Sequence, residues 1–538
     1  VALEATKCAG RGESAGPCLI RSEEPVKDGR VSDATDALLD VADLTALRIA
    51  VDPFTVDGVA QCLGPLGQAA LDRGDLPGAR RHCADGDRVA TLTRLFLLGD
   101  EVTESAARVA LAPLPLDAAR AAGLVEVSAG SVRAALELRP YREAAAPTDP
   151  TPPPWWVLSD LGSDVRPGPL APDHVLGIGA AALTLAQATP RNPAARALDI
   201  GTGCGIQALH LGRHCAAVTA TDISRRALRL AATTAALSGQ VWRLQAGSLL
   251  DPVEDEEFEL VVANPPFVLS AGPVAGGQHY DYRDSGMAGD AVSARLVRDL
   301  PRVMAPGGTA QLLANWAITP EQEWSERVIG WLPSGCDAWV WQREIADPGE
   351  YVSLWLRDAG EQPGTGRWSA RYDEWLDWFA AARIIAVGMG MVTLWRTDRA
   401  QPIRVLEDVR QPLAPPLGPA VSAWIESQRW LADRSDDQLL EARLGRAEGL
   451  VRARGDLAGP DGWQTTRQLL RQSTGLRWEV EVDDAIAALV AGCSGDVSLG
   501  LLLEVLAGTL GAAPGDVRDA ALPVVRDLLS RGFLHPME

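Results

Sequence analysis

The sequence predicts an α/β protein, with a doubly wound parallel sheet in the middle of the chain and helical, winged-helix-like modules on either side. Three observations predict it. Short apolar runs alternate with helical patterns between Val175 and Asn315, the rhythm of parallel strands joined by helical crossovers. A glycine-rich turn, Gly201-Thr-Gly-Cys-Gly205, joins one of those runs to a helix, at the carboxyl end of a strand where open α/β sheets bind ligands. Helical patterns followed by a hairpin signal fill residues 37–138, and amphipathic helices followed by one short strand fill residues 482–535.

Composition sets the bounds. A chain of 538 residues with 47% hydrophobic content has room for three or four domains and more than one core. The net charge of −21 repels phosphate backbones, so general nucleic-acid binding is disfavoured and protein partners are favoured. The eight cysteines form no C-x-x-C pair and no zinc-ligand spacing, which predicts reduced thiols in a cytoplasmic protein and no metal. No apolar run has the length of a membrane span. Residues 1–30 mix Glu, Arg, Gly and Pro without an apolar segment of the signal-peptide kind and read as a disordered lead-in.

Along the chain, helical spacing recurs over residues 37–48 (Leu38, Val41, Leu44, Leu47), 56–63, 67–73 and 87–98. A short helix from Leu114 is stopped by Gly123, and strand-like runs 124–127 and 132–138 flank Ser128-Ala-Gly-Ser131. Residues 31–146 therefore read as an N-terminal winged-helix-like domain. Such modules bind DNA in some proteins and partner proteins in others, and the acidity favours packing or substrate docking. Residues 144–154 form a proline-rich, stiff linker. The adjacent Trp155-Trp156 reads as an interdomain plug.

Residues 155–400 are the expected central domain. Helices are predicted over 175–188, 206–213, 224–237 and 291–303, and strands over 195–200, 216–220, 241–245, 260–263 and 310–315. Ten of the 17 tryptophans fall between Trp316 and Trp395 and read as core and interface material. There, helices 322–332 and 372–382 alternate with strands 338–345 and 384–395, which suit the end of the same sheet with a helical insertion. A proline-rich boundary at residues 404–419 precedes a C-terminal winged-helix-like module, residues 420–538.

The chemistry is concentrated in residues 197–267. Asp199 ends an apolar strand, and Gly201, Gly203 and Gly205 remove side chains where a ligand would lie against backbone. Asp222, at the tip of the next strand, stands where a carboxylate accepts ribose hydroxyls, and equally where it would cap the helix opening at Ser224. Asn264-Pro265-Pro266-Phe267 follows a further apolar strand. The two prolines stiffen the turn. The Asn264 side-chain oxygen and the Pro265 carbonyl offer two acceptors for one –NH2 group, and Phe267 an aromatic face for a planar amide or base. Of the other candidates, His279 and Tyr280 lie in a Gly-rich loop, residues 270–289, which suits either a lid or a plain surface loop. Gly276-Gly-Gln278 reads as a chance tripeptide, Glu254-Asp-Glu-Glu257 as a solvated acidic run, and His210 with His214 as a pair without further metal ligands.

Together these motifs resemble a class I S-adenosylmethionine-dependent methyltransferase of the Asn-Pro-Pro-Tyr/Phe type over residues 171–315. That group includes the HemK-like protein glutamine N5-methyltransferases and the N6-adenine and N2-guanine methyltransferases of RNA and DNA. The resemblance implies a Rossmann-like sheet and S-adenosylmethionine as cofactor. Asp199, Gly201, Gly203 and Gly205 would line its methionine end, Asp222 would hold its ribose, and Asn264, Pro265 and Phe267 would hold the target nitrogen. The family often places an acid after the glycine at the next strand end, against the adenine. Here Ala246-Gly-Ser248-Leu-Leu-Asp251 puts Ser248 in that place and Asp251 three residues later. The leading expectation is N-methylation of a protein glutamine side chain, with no membrane and no metal involved. The alternatives are the amino nitrogen of a nucleic-acid base, and a cofactor-binding protein without turnover.

Overall fold

The computed structural model describes residues 37–83, 86–143, 153–168, 170–272, 280, 282–460 and 462–537. The expected lead-in (residues 1–30), most of the proline-rich linker, Gly276-Gly-Gln278 and His279 lie outside them.

The centre is an eight-stranded sheet: β1 (Ala194–Ile200), β2 (Cys215–Asp222), β3 (Arg243–Ala246), β4 (Phe258–Ala263), β5 (Met304–Ile318), β6 (Cys336–Ala346), β7 (Ala386–Arg396) and β8 (Arg404–Asp408). Its spatial order is β3-β2-β1-β4-β5-β7-β6-β8. Strands β1 to β5 pair in parallel, whereas β7 is antiparallel to both β5 and β6. Strand order reverses between β1 and β4, the switch point at which such sheets open a crevice. Parallel strands buried on both faces need continuous apolar runs, and β4 supplies one: Leu260, Val261, Val262 and Ala263 are all buried. The sheet continues past residue 400, because β8 pairs in parallel with β6 (Ala338↔Arg404 to Gln342↔Asp408); its proline-flanked sequence reads as a boundary, and only the pairing reveals it as an edge strand. Strand β5 begins at Met304 and absorbs Pro306-Gly-Gly308 as an irregularity between Met304 and Thr309.

The helical insertion between β6 and β7 holds two helices, α3 (Pro348–Asp358) and α4 (Gly366–Ala381). Helix α3 was not anticipated by the apolar periodicity, yet its start signal is present: Asp347 caps it, accepting from Glu350 N at 2.9 Å, and Pro348 occupies the first turn.

The tryptophans are packing material. Trp316 is fully buried, stacks on Trp324 at 5.4 Å and donates from Nε1 to Gln342. Room for its indole comes from β7. A Cβ on Gly390 would stand 1.9 Å from the Trp341 carbonyl oxygen and 2.6 Å from Trp316 Cη2.

On the N-terminal side the order is helix Arg88–Phe96, strand Val102–Thr103, helices Glu104–Leu111 and Leu116–Ala121, then the hairpin Val125–Ser128 and Ser131–Ala134, whose second strand pairs with Val102–Thr103. Trp155–Asp160, placed by sequence in the central domain, pairs instead with Leu136–Tyr141. Trp156 Nε1 donates to the Phe54 carbonyl at 2.7 Å. On the C-terminal side helix α5 (Gly418–Ala432) lays Trp424 flat on Trp339 of β6, ring centroids 4.2 Å apart, and sets Arg429 against the fully buried Asp337 at 3.0 Å. Beyond it, an antiparallel sheet (Leu450–Gly459, Gly462–Gln472, Glu479–Glu481) precedes the three helices read from sequence, observed at Asp484–Gly492, Leu499–Leu510 and Pro514–Ser530.

Gly390→Ala is expected to destabilise the central domain by about 3 kcal/mol, since overpacking here meets backbone as well as an indole. Urea unfolding followed by tryptophan fluorescence measures it, and an unchanged midpoint contradicts the packing account.

Candidate functional site

The turn after β1 is built from conformations that suit glycine. Gly201, Gly203 and Gly205 have φ of 71°, 54° and 88°, all in the left-handed region. The turn is strapped to the tip of β2: Gly201 N and Thr202 N both donate to the Thr221 carbonyl (2.9 and 3.0 Å), and Gly203 N donates to Asp222 Oδ2 at 2.9 Å. The three glycines differ in surroundings. A Cβ on Gly203 would meet nothing within 4 Å, whereas one on Gly205 would stand 2.7 Å from the Trp242 ring. Gly205 therefore makes room for a tryptophan beneath the turn, and the open backbone is at Gly203.

Asp199 lies under the loop, fully buried. Its Oδ2 accepts from Thr202 Oγ1 at 2.6 Å and from Ala208 N at 3.1 Å, tying the turn to helix α1 (Ile206–Leu211). Its Oδ1 is buried and has no hydrogen-bond partner among the described residues. Burial pushes the carboxyl up to about 7, against the pull of the Thr202 and Ala208 hydrogen bonds.

Asp222 is half-buried, with Oδ1 accepting from Ser224 N at 2.8 Å. The cap of helix α2 (Arg225–Leu237) is Ser224, whose side chain accepts from Ala227 N; Asp222 is thus left to organise the turn. Its carbonyl accepts from Gly247 N at 3.0 Å, which brings the loop after β3 alongside. In that loop Ser248 is exposed and Leu249 takes φ of 48°, a conformation that costs a leucine roughly 1 kcal/mol. Asp251 is exposed and heads the short helical turn Asp251–Val253.

The loop after β4 carries Asn264, half-buried, Pro265, buried, and Phe267, half-buried. A Cβ on Gly201 would stand 3.7 Å from the Asn264 carbonyl oxygen, so the Asn264 and glycine loops are immediate neighbours. The Asn264 side chain makes no hydrogen bond among the described residues. Phe267 meets the edge of Trp355 from α3, centroids 6.2 Å apart and planes at 71°.

Other sequence candidates fall elsewhere. Tyr280 is fully buried beside Leu170 and Ala359, under the Arg283 guanidinium at 4.7 Å; this part of the Gly-rich loop is anchored. His210 Nε2 pairs with the Tyr141 hydroxyl at 2.9 Å, joining the N-terminal side to α1. The acidic run is more than solvated: Glu256 pairs with Arg243 and Arg196, and Glu257 with Arg396. The six described cysteines carry free thiols, and Cys8 and Cys18 lie outside the described residues. Among the described residues no cluster of metal-ligating side chains occurs and no helix is long and apolar enough to cross a membrane.

Residues 176–276, which span β1 to β4 and both loops, match the family model described as methyltransferase small domain. Fold and match together make residues 176–276 similar to a methyltransferase small domain. Residues 52–135 and 422–536 each match a model described as a domain of unknown function (DUF7059 and DUF7782). The chain is similar to the release factor glutamine methyltransferase of Deinococcus radiodurans, 35% identical over 143 residues that make up 25% of this chain and 51% of that protein. It is similar to the ribosomal RNA small subunit methyltransferase C of Hahella chejuensis (32% over 148 residues; 27% and 38%). It is also similar to the ribosomal protein uL3 glutamine methyltransferase of Bradyrhizobium diazoefficiens (34% over 122 residues; 21% and 38%). The chain thus spans about half or less of the length of these relatives.

Asp199 yields a pH test. Its carboxyl titrates near ~3.9 when unfolded and at about 7 when folded. The folded state binds the proton more tightly, so this group's contribution to stability is fully present below about pH 4 and is lost as pH rises towards about 7. Asp199→Asn, which cannot ionise, is expected to raise the unfolding free energy by about 2–4 kcal/mol at pH 8 and to change it little at pH 4. Urea midpoints of both proteins at the two pH values measure it; an equal difference at both contradicts the burial argument.

Proposed function

We propose that the protein transfers the methyl group of S-adenosylmethionine to a planar amide or amino nitrogen of a macromolecule, a protein glutamine side chain before a nucleic-acid base. The carrying observation is the adjacency of the two loops: the stiff Asn264-Pro-Pro-Phe267 segment leaves the sheet against Gly201 of the glycine turn.

The residues suit the cofactor. Gly201 and Gly203 offer backbone without side chains. The Asp222 carboxylate, at the tip of β2 beside the glycine turn, suits ribose hydroxyls. Asp199, fully buried beneath the turn, would act by shaping it instead of lining the methionine end, and exposed Ser248, in the loop whose Gly247 N donates to the Asp222 carbonyl, would face the adenine. When bound, S-adenosylmethionine supplies an electrophilic sulfonium methyl. The protein's own part is positioning and polarisation. The Asn264 side-chain oxygen and the Pro265 carbonyl accept the two protons of the target –NH2. That draws the nitrogen towards tetrahedral geometry and frees its lone pair, while Phe267 holds the planar group by its face. The product proton leaves to solvent.

Protein is favoured over nucleic acid by the net charge of −21, and two of the similar proteins are named as glutamine methyltransferases acting on a release factor and on a ribosomal protein. The N- and C-terminal modules are assigned to docking the macromolecule, the first through its winged-helix-like order of elements.

The test uses S-adenosylmethionine labelled in its methyl group, with lysate from cells lacking the gene. Label released by protease and not by nuclease is expected; release by nuclease alone moves the acceptor to a base. Asn264→Ala is expected to lower transfer about 10²–10³-fold while cofactor affinity, read by calorimetry, stays within about twofold. Wild-type transfer by that variant contradicts the assigned role.

A further inference from the structure

We propose that Tyr351 and Trp375, from the helical insertion between β6 and β7, are positioning residues that clamp the Asn264–Phe267 loop in register. This rests on the transfer reading above. It concerns a part of the chain beyond the matched residues 176–276.

The argument starts from Leu269, two residues past Phe267. It is fully buried and lies in no helix or strand, so sheet hydrogen bonds do not satisfy its backbone, and buried backbone groups need partners. Both partners come from the insertion. Leu269 N donates to the Tyr351 hydroxyl oxygen at 3.0 Å, and the Leu269 carbonyl accepts from Trp375 Nε1 at 2.9 Å. Tyr351 is on α3 and Trp375 on α4, so the helices hold the two peptide groups that flank Leu269, one each. The Tyr351 oxygen also accepts from Asn315 Nδ2 at 2.9 Å. Asn315 is a buried residue of β5, and this bond ties the clamp to the sheet.

The acceptor segment is therefore held at both ends. Upstream, Asn264 is fixed by β4 and followed by two prolines with restricted φ. Downstream, Leu269 is pinned by two side chains, and between them Phe267 rests on Trp355 of α3. Transfer requires the reacting atoms in line, and displacement by about 1 Å can cost 10²-fold in rate. Neither Tyr351 nor Trp375 need touch the acceptor; each acts through Leu269.

Full-length Tyr351→Phe and Trp375→Phe test this, with Trp378→Phe, a change on α4 without a bond to Leu269, as the comparison. Hydrogen–deuterium exchange of peptides covering residues 264–272 is read together with S-adenosylhomocysteine affinity and label transfer to lysate protein. The first two variants are expected to exchange at Leu269 about tenfold faster. Their transfer at saturating cofactor should fall about 10–100-fold, with S-adenosylhomocysteine affinity within about twofold; Trp378→Phe should match wild type in all three. Unchanged loop exchange overturns the clamp. Faster exchange with wild-type transfer, or affinity falling in step with transfer, overturns the positioning role. A wild-type protein that binds S-adenosylhomocysteine but transfers no label overturns the transfer reading instead, and the exchange measurement still decides whether the clamp exists.

Discussion

Ile200 of β1 lies opposite Ala263 of β4 in parallel register, and the site depends on that pairing. Because the two strands run the same way and end at the same level, the glycine turn and the Asn264 loop leave the sheet side by side. A shift of one residue would turn every side chain of β4 to the opposite face; the observed register pairs β4 with β1 on one edge and with β5 on the other. The switch point then supplies the crevice, since the crossovers from β1 and β4 go to opposite sides.

Around this pairing, buried polar groups do much of the shaping. Asp199 orders the turn from beneath through Thr202 and Ala208, and its carboxyl is held well above the ordinary range in return. Tyr351 gathers Leu269, Asn315 and thereby two elements of the fold on one oxygen. A buried polar network is stable only where its donors and acceptors are matched. Both networks specify loop conformations that apolar packing alone leaves free. The flanking modules attach differently, through flat aromatic contacts such as Trp424 on Trp339 and through polar anchors such as the Tyr141 hydroxyl with His210 of α1.

Much of the central sheet was legible because its signals are local. The apolar runs, the glycine turn, and the acid at the β2 tip each sit within a few residues of sequence, and strand–turn–helix units are local objects. The late strands were legible too, as tryptophan-rich runs. What escaped was non-local. Strand β8 carries a short, proline-flanked sequence, half-buried from Val405 to Glu407, and only its pairing with β6 makes it a strand. The three-stranded sheet from Leu450 to Glu481 is polar and largely exposed, so it lacks the alternation that marks a half-buried strand. Gly205 looked like its two companions, and its distinct task appears only when Trp242, far along the chain, is found against it.

The sequence by itself determined the α/β class, the glycine turn, the acid of the next strand and the stiff Asn-Pro-Pro-Phe turn, because backbone conformations such as positive φ and proline-fixed φ are written into residue type. Tertiary structure alone decided which atoms meet. It put Asn264 beside Gly201, placed Asp199 under the loop instead of on its face, and brought Tyr351 and Trp375 to the two sides of Leu269. The contacts of Asn264 with Gly201 and of Leu269 with Tyr351 and Trp375 join residues about 60 to 106 positions apart. At such separations closure depends on the packing of whole elements, and no local pattern in the chain records it.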